Sequence, residues 1–318
     1  MEFPFKLLLA NDFDVVGFGT NALDYLMRVP EYPAFNSKVE ISEYTVAAGG
    51  EIASNMVGLT RLGLKCAYAG RFGGDQAGHL GMLSLVDAGV DVTYAETIHA
   101  AQTQVAFIVI DERNGERTIL WQRDARLAFT ASEAPVEAAI RGKVLHMTPH
   151  DTEACIRMSK EAKANDVIVS ADVDNVFDGI EELLPLVDVC IASAEFPERL
   201  LGIKDKKAVL SEIASRFGCA VTGLTLGAAG SLIYCQDTFF ETPAFNVPGG
   251  CVDTTGAGDA FRTGFLYGML TGASVEESAR TANAVAALKC RGLGARLALP
   301  DKQDLTTLLK THNPRVSC

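Results

Sequence analysis

The stretch Asp253-Thr254-Thr255-Gly256-Ala257-Gly258-Asp259-Ala260-Phe261 holds the residues best suited to chemistry. The apolar positions Phe261, Phe265, Leu266, Met269 and Leu270 have helical spacing, so a helix begins near Gly256. The first N–H groups of a helix lack internal partners, and the helix dipole adds partial positive charge there. Glycines keep that backbone open to an incoming anion, most naturally a phosphate. The amides of Gly256, Ala257 and Gly258 would hold charge developing on a transferred phosphoryl group. Asp259 follows at once, placed to take a proton from an attacking hydroxyl. A glycine-rich cap on a buried helix is the plain alternative.

The elements around this stretch alternate. Phe13–Gly17 reads as a strand, 50–63 as a helix, Cys66–Gly70 as a strand and 75–89 as a helix ending at Gly89. Val144–Met147, Val167–Ser170, Val187–Ala192 and Ala220–Leu226 are further strands separated by helical patterns. Such β-then-α order predicts an α/β fold, a mostly parallel sheet with helices on both faces. Two regions break the rhythm, at about 21–47 and 101–128. Both are strand-like, and the second carries an Asn114-Gly115 hairpin turn. They predict a small extra sheet that would close over a ligand as a lid. The chain then reads as one domain over 1–318, with the lid formed by these insertions.

Gly17-Phe18-Gly19 is not a dinucleotide fingerprint, because Asp24, Pro30 and Pro33 follow where a helix should open. Thr225-Leu226-Gly227-Ala228-Ala229-Gly230 is a glycine turn between strands, and Asp172-Val173-Asp174-Asn175 ends a strand with carboxylates aimed at the ligand crevice. Asn283, Ala286 and Ala287 lie on a late helix whose small residues would leave room for an adenine ring, with an alanine-rich packing helix as the other reading. Trp121 stands on a presumed lid strand, with stacking on substrate and packing of the lid as equal readings.

The nonapeptide, with weaker landmarks in order on both sides, resembles the C-terminal signature of the ribokinase-like, or PfkB, carbohydrate kinases. The resemblance implies a ribokinase-like three-layer sandwich with a small β lid. It implies transfer of the γ-phosphoryl group of MgATP to a hydroxyl of a small sugar. Asp24 matches the family's sugar-gripping aspartate, and Asn21 lies near it. Ala48-Gly49-Gly50-Glu51-Ile52-Ala53-Ser54-Asn55 resembles the N-terminal signature, in which an asparagine binds sugar. An ungapped count puts Ser54 at that position and Asn55 one place late. Gly49 and Gly50 complete the expected sugar set. Thr225, Gly227 and Gly230 match the family's T-x-G-x-x-G turn near the nucleotide, joined by Thr254, Asn283 and Ala286. Glu195 matches an acidic residue that organises magnesium through water. Asp253, Thr255 and Gly294 match positions that hold a monovalent cation such as potassium in many members. Two other readings remain open: a nucleoside kinase of the same family, and a sugar- or nucleotide-binding regulator on the same fold.

Composition narrows the partners. Across 318 residues, 48% are hydrophobic and 21% charged, enough for a large core. A net charge of −12 argues against general nucleic-acid binding. No apolar stretch is long enough to span a bilayer, and no signal peptide is recognisable. The eight cysteines, at 66, 155, 190, 219, 235, 251, 290 and 318, lack metal-ligand spacing and read mostly as buried apolar groups in a reducing compartment. The expectation is a cytoplasmic protein that binds sugar and ATP, no nucleic acid and no membrane, and that pairs into a homodimer through the lid.

Overall fold

Strand β1 (Phe13–Phe18) sends Val15 into one hydrophobic cluster and Val16 into another. The same split recurs at Val144 and Leu145, at Ile168 and Val169, and at Val189 and Cys190. Side chains of a strand alternate between faces, so a sheet apolar on both faces must be covered on both. The computed structural model, which describes residues 1–311, has this three-layer arrangement.

The strands follow in order. After β1 come β2 (Ala22–Val29), β3 (Glu43–Gly49), β4 (Cys66–Gly73), β5 (Asp91–Ile98), β6 (Val105–Asp111) and β7 (Arg117–Gln122). Then come β8 (Gly142–Met147), β9 (Ile168–Val173), β10 (Val189–Ser193), β11 (Val221–Thr225), β12 (Ser231–Cys235) and β13 (Thr238–Thr242). The main sheet runs β13-β12-β11-β10-β9-β8-β1-β4-β5. It is parallel from β5 to β11, and β12 and β13 close one edge antiparallel. Gln236 and Asp237 both take positive φ in the turn between these last two strands, as a tight hairpin requires. β1 pairs with β4 on one side and β8 on the other. The order reverses there, and open α/β sheets form their ligand crevice at such a point.

The β-rich segments supply a second sheet in the order β3-β2-β6-β7. Asp24 pairs across to Ala106, and Ala106 to Trp121, so these three form one row on the inner face. Val46, Tyr25, Phe107 and Leu120 form the next row, on the outer face. Arg123, just beyond β7, donates to both carboxylate oxygens of Asp151 at 2.8 and 2.7 Å and ties this sheet to the body. β5 and β13 went unread in the sequence. β5 lacks clean alternation, and β13 is an edge strand defined by its partner.

Helix Ala257–Leu270 packs on helix Val275–Lys289 through small residues. A Cβ on Gly264 would sit 2.6 Å from Ala282 Cα and 2.9 Å from the Thr281 carbonyl oxygen. Gly264→Val should therefore separate the two helices and destabilise the protein by about 1–3 kcal/mol, an ordinary cost of overpacking. Urea unfolding measures this; an unchanged midpoint would mean that the helices move apart freely.

Candidate active site

Gly256 stands before helix Ala257–Leu270 at φ 73°, a left-handed conformation in which a Cβ would also meet Ala295 Cβ at 2.8 Å. Among the described residues, no side chain caps its N-terminus. The Asp253 carboxylate instead braces the loop, accepting from Thr255 N–H at 2.8 Å and Gly294 N–H at 2.7 Å. The Gly115 carbonyl at the tip of the second sheet accepts from the Thr254 amide at 3.0 Å and the Thr254 hydroxyl at 2.9 Å. Ala257 N–H donates to the Thr254 carbonyl at 3.1 Å, so its amide closes a turn rather than facing a ligand. The N–H groups of Gly256 and Gly258 have no such backbone bond among the described residues.

These glycines and Asp259 line a cavity of about 920 Å³, at the upper end of the range for small-molecule sites. Burial raises the Asp259 carboxyl above its ordinary pKa, and Asp174 adds to this, while Arg262, Arg117 and Lys289 oppose it. Glu51, Asp172 and Asp174 line the same space. Arg262 holds Asp172 at 2.7 Å, both side chains being only 5% exposed, and also donates to the Ile191 carbonyl at 3.2 Å. Burial pushes Asp172 upward and Arg262 pulls it back. Glu51 is likewise pushed up by burial and by Asp174, Asp172 and Asp259.

The expected sugar residues divide. Asp24 and Gly50 line the cavity; Asn21, Gly49, Ser54 and Asn55 lie behind it. Asn21 donates to Tyr68 Oη and the Arg71 carbonyl, each at 2.8 Å. Asn55 sits 3.2 Å from His146 Nε2 and accepts from the Thr263 hydroxyl at 2.8 Å, so it joins two helices to the sheet. Ser54 faces Arg296, whose Nε lies 3.2 Å from Ser54 Oγ and whose Nη2 donates to the Gly49 carbonyl. A Cβ on Gly49 would overlap the Asp24 carboxylate. Asp24 is raised to about 7 by burial, with Arg296 lowering it and the Asp259 and Asp253 carboxylates raising it. Beside this region, Trp121, His150 and Phe177 line the cavity as an aromatic wall, with His150 6.2 Å from the Trp121 ring and 4.9 Å from Phe177.

The expected nucleotide residues Thr225, Gly227, Gly230, Thr254, Asn283 and Ala286 all line the cavity, and the loop Ala244–Val247 adds to them. Asn283 also donates to Ser231 Oγ at 2.9 Å, which fixes the helix to β12. Glu195 is not among the lining residues; it is exposed where helix Phe196–Leu201 begins. Asp253, Thr255 and Gly294 do come together, around the side chain of Lys289. Among the described residues, no three His, Cys, Asp or Glu are grouped to hold a metal. Of the basic residues near the second sheet, Arg126 pairs with Asp124 and Arg123 with Asp151, and Arg117 alone faces the cavity.

Arg262, Arg296, Lys289 and Phe177 were not singled out in the sequence. Arg262 had a signal, lying three residues after Asp259 on one helix face. Arg296 had none, since it follows Gly294 in a segment without pattern.

A profile of the pfkB family carbohydrate kinases matches residues 13–302. The chain belongs to this family. Among curated relatives, the nucleoside kinase of Methanothermobacter thermautotrophicus is 27% identical over 307 residues, covering 92% of this chain and 94% of the relative. The aminoimidazole riboside kinase of Salmonella typhimurium is 30% identical over 296 residues, covering 86% and 91%. The structure of Arabidopsis thaliana ribokinase complexed with ribose and ATP superposes with a TM-score of 0.79 at 24% identity, covering 94% of this chain and 99% of the other. The fold is ribokinase-like, and this PfkB kinase is an ATP-dependent sugar or nucleoside kinase. Among the described residues, no helix is long and apolar enough to cross a membrane.

The kinase's Asp24 yields a pH-dependent prediction. Its folded value, about 7, lies above the unfolded 3.8, so the native state gains a proton between the two. The stability linked to that proton is complete below the unfolded value and lost as pH rises through 7. Asp24→Asn should raise the melting temperature of the ligand-free kinase at pH 8 and lose that advantage in acid. Melting curves across pH check this; a gain that does not vary with pH would separate it from the carboxyl.

Proposed function

We propose that the kinase transfers the γ-phosphoryl group of MgATP to a hydroxyl of a small sugar held between Asp24 and Asp259. The observation that carries this reading is that both carboxylates face one cavity beside the free amides of Gly256 and Gly258. Asp24 would accept hydrogen bonds from sugar hydroxyls, and charge-assisted bonds of this kind are the stronger ones. Gly50 would bring backbone to the sugar, with Asn21, Gly49, Ser54 and Asn55 supporting the pocket from behind. Asp259 would take the proton of the attacking hydroxyl, and its raised pKa brings it closer to neutral chemistry. The Gly256 and Gly258 amides would hold charge on the phosphoryl group, with positioning supplying much of the remaining rate. Thr225, Gly227, Gly230, Thr254, Asn283 and Ala286 would hold ATP.

Magnesium would enter on the carboxylate side of the cavity with the nucleotide, since no ready three-ligand protein site is grouped there among the described residues. Glu51, Asp172 and Asp174 offer oxygen donors, and Asp172 Oδ2 is buried without a partner among the described residues. The ion, when bound with the nucleotide, would neutralise phosphate charge. These residues are better placed for it than the exposed Glu195.

In this reading the chain is one kinase domain, and the sheet from 21–47 and 101–128 is a lid that excludes water. Its outer row is apolar, with Val46 40%, Phe107 44% and Leu120 62% exposed, which supports a homodimer through the lid. The acidic charge favours small-molecule partners over nucleic acid or membrane. The free cysteines of the described residues, six of them buried and Cys251 exposed, are consistent with cytoplasm; Cys318 lies outside the described residues.

The Trp121, His150 and Phe177 wall favours a second reading, in which the sugar carries a flat base and the substrate is a nucleoside. ADP release across a panel of pentoses, hexoses and nucleosides decides between the two; no release with any member would return the regulator reading. If nucleosides are the substrates, Trp121→Ala should raise KM for them and leave KM for ATP unchanged. An equal rise in both would place Trp121 in lid packing. Asp259→Asn should lower turnover about 10²–10⁴-fold while leaving ATP affinity nearly intact. Retention of more than half the activity, measured by steady-state kinetics, would remove Asp259 as the base.

A further inference from the structure

Lys289 ends helix Val275–Lys289, and its side chain is 0% exposed. Its Nζ donates to the Asp253 carbonyl at 2.8 Å and stands 3.9 Å from Asp253 Oδ2. Asp253 is equally buried, and its two carboxylate oxygens accept from the amides of Thr255 and Gly294. Three pieces of chain therefore meet around one ammonium group: the end of this helix, the loop before helix Ala257–Leu270, and the loop at Gly294.

A potassium ion expected at Asp253, Thr255 and Gly294 does not fit this arrangement. The Asp253 carbonyl already receives a full positive charge. A second cation against the same oxygen would meet the lysine in a fully buried site, where like charges repel strongly. Both Asp253 carboxylate oxygens are also engaged by amides. The Asp253 oxygens such an ion would need are in use, and the charge it would bring is present.

We propose that the Lys289 ammonium is a tethered substitute for the exchangeable monovalent cation, so that the kinase orders its anion-binding loop without potassium. An ammonium group carries the same charge as potassium and meets carbonyl oxygens at a hydrogen-bond distance. Because it is covalently attached, the loop need not recruit an ion before it receives the nucleotide. Asp253 then transmits the position of the charge to Thr255 and Gly294 through its two amide bonds. Lys289 acts as a positioning residue, since it reaches the nucleotide only through the loop.

The role of the loop rests on the kinase reading, but the position of the charge does not, and the test separates them. Melting temperature and ATP affinity by calorimetry are measured in potassium chloride and in tetramethylammonium chloride at equal ionic strength. The wild-type kinase should give the same values in both salts. Lys289→Ala should melt lower and bind ATP about 10–100-fold more weakly in tetramethylammonium, the usual effect of losing a charged hydrogen bond. Potassium or ammonium, which fit the vacated space, should restore both properties; the bulky cation should not. Lys289→Met, which refills the space with an apolar chain, should show the loss without the rescue. A wild-type kinase that binds ATP more tightly or melts higher in potassium would overturn the proposal, and this arm decides even if a variant does not fold. A loss in Lys289→Ala that no cation restores would overturn it too, by assigning Lys289 to packing. Absence of sugar or nucleoside turnover would sink the kinase assignment of the substrate yet leave both readouts intact.

Discussion

Helix Ala257–Leu270 must begin with amides that are held in place yet unpaired. An N-terminal cap from a side chain would satisfy those amides and close the site. The structure moves the bracing one step back. Asp253 fixes Thr255 and Gly294, the Gly115 carbonyl fixes Thr254, and Ala257 closes a turn onto the Thr254 carbonyl. Gly256 can then turn left-handed and present its N–H beside that of Gly258. Loop, second sheet and late helix all converge on this one requirement.

The same cavity gathers more carboxylates than it neutralises. Asp24, Glu51, Asp172 and Asp259 are each raised, with burial the largest cause in every case. Two buried arginines limit the strain. Arg262 pairs directly with Asp172, whereas Arg296 acts on Asp24 through its field while bonding to Ser54 and Gly49. A surplus of buried acidic groups opposes stability of the empty protein wherever they are ionised.

The second sheet serves both sides of this chemistry. Its inner row carries Asp24 and Trp121 into the cavity, and its outer row is apolar. Its Asn114-Gly115 turn reaches the glycine-rich loop at Thr254. Residues that face the cavity and the residue that fixes Thr254 therefore share one sheet. The second sheet and the glycine-rich loop are joined directly through Gly115.

Much of this kinase was legible in the sequence because local rules govern it. The β-α alternation, the hairpin at Asn114-Gly115, and the glycine-opened helix before Asp259 depend on residues close together in the chain. The family resemblance followed from the same nonapeptide. What the tertiary structure decided concerns side chains whose partners are far away. Asn55 has sugar-binding chemistry but turns to His146 and Thr263, because its helix presents that face to the sheet and to helix Ala257–Leu270. Glu195 is in the expected place along the chain but outside the cavity, since only packing determines which strand-end carboxylates point inward. Arg296 meets Ser54 across 242 residues, and Lys289 meets Asp253 across 36. Neither pair leaves a periodic trace. Sequence spacing determines which residues share a helix face or a turn; which charges meet in the dry interior is determined when separate layers close on one another.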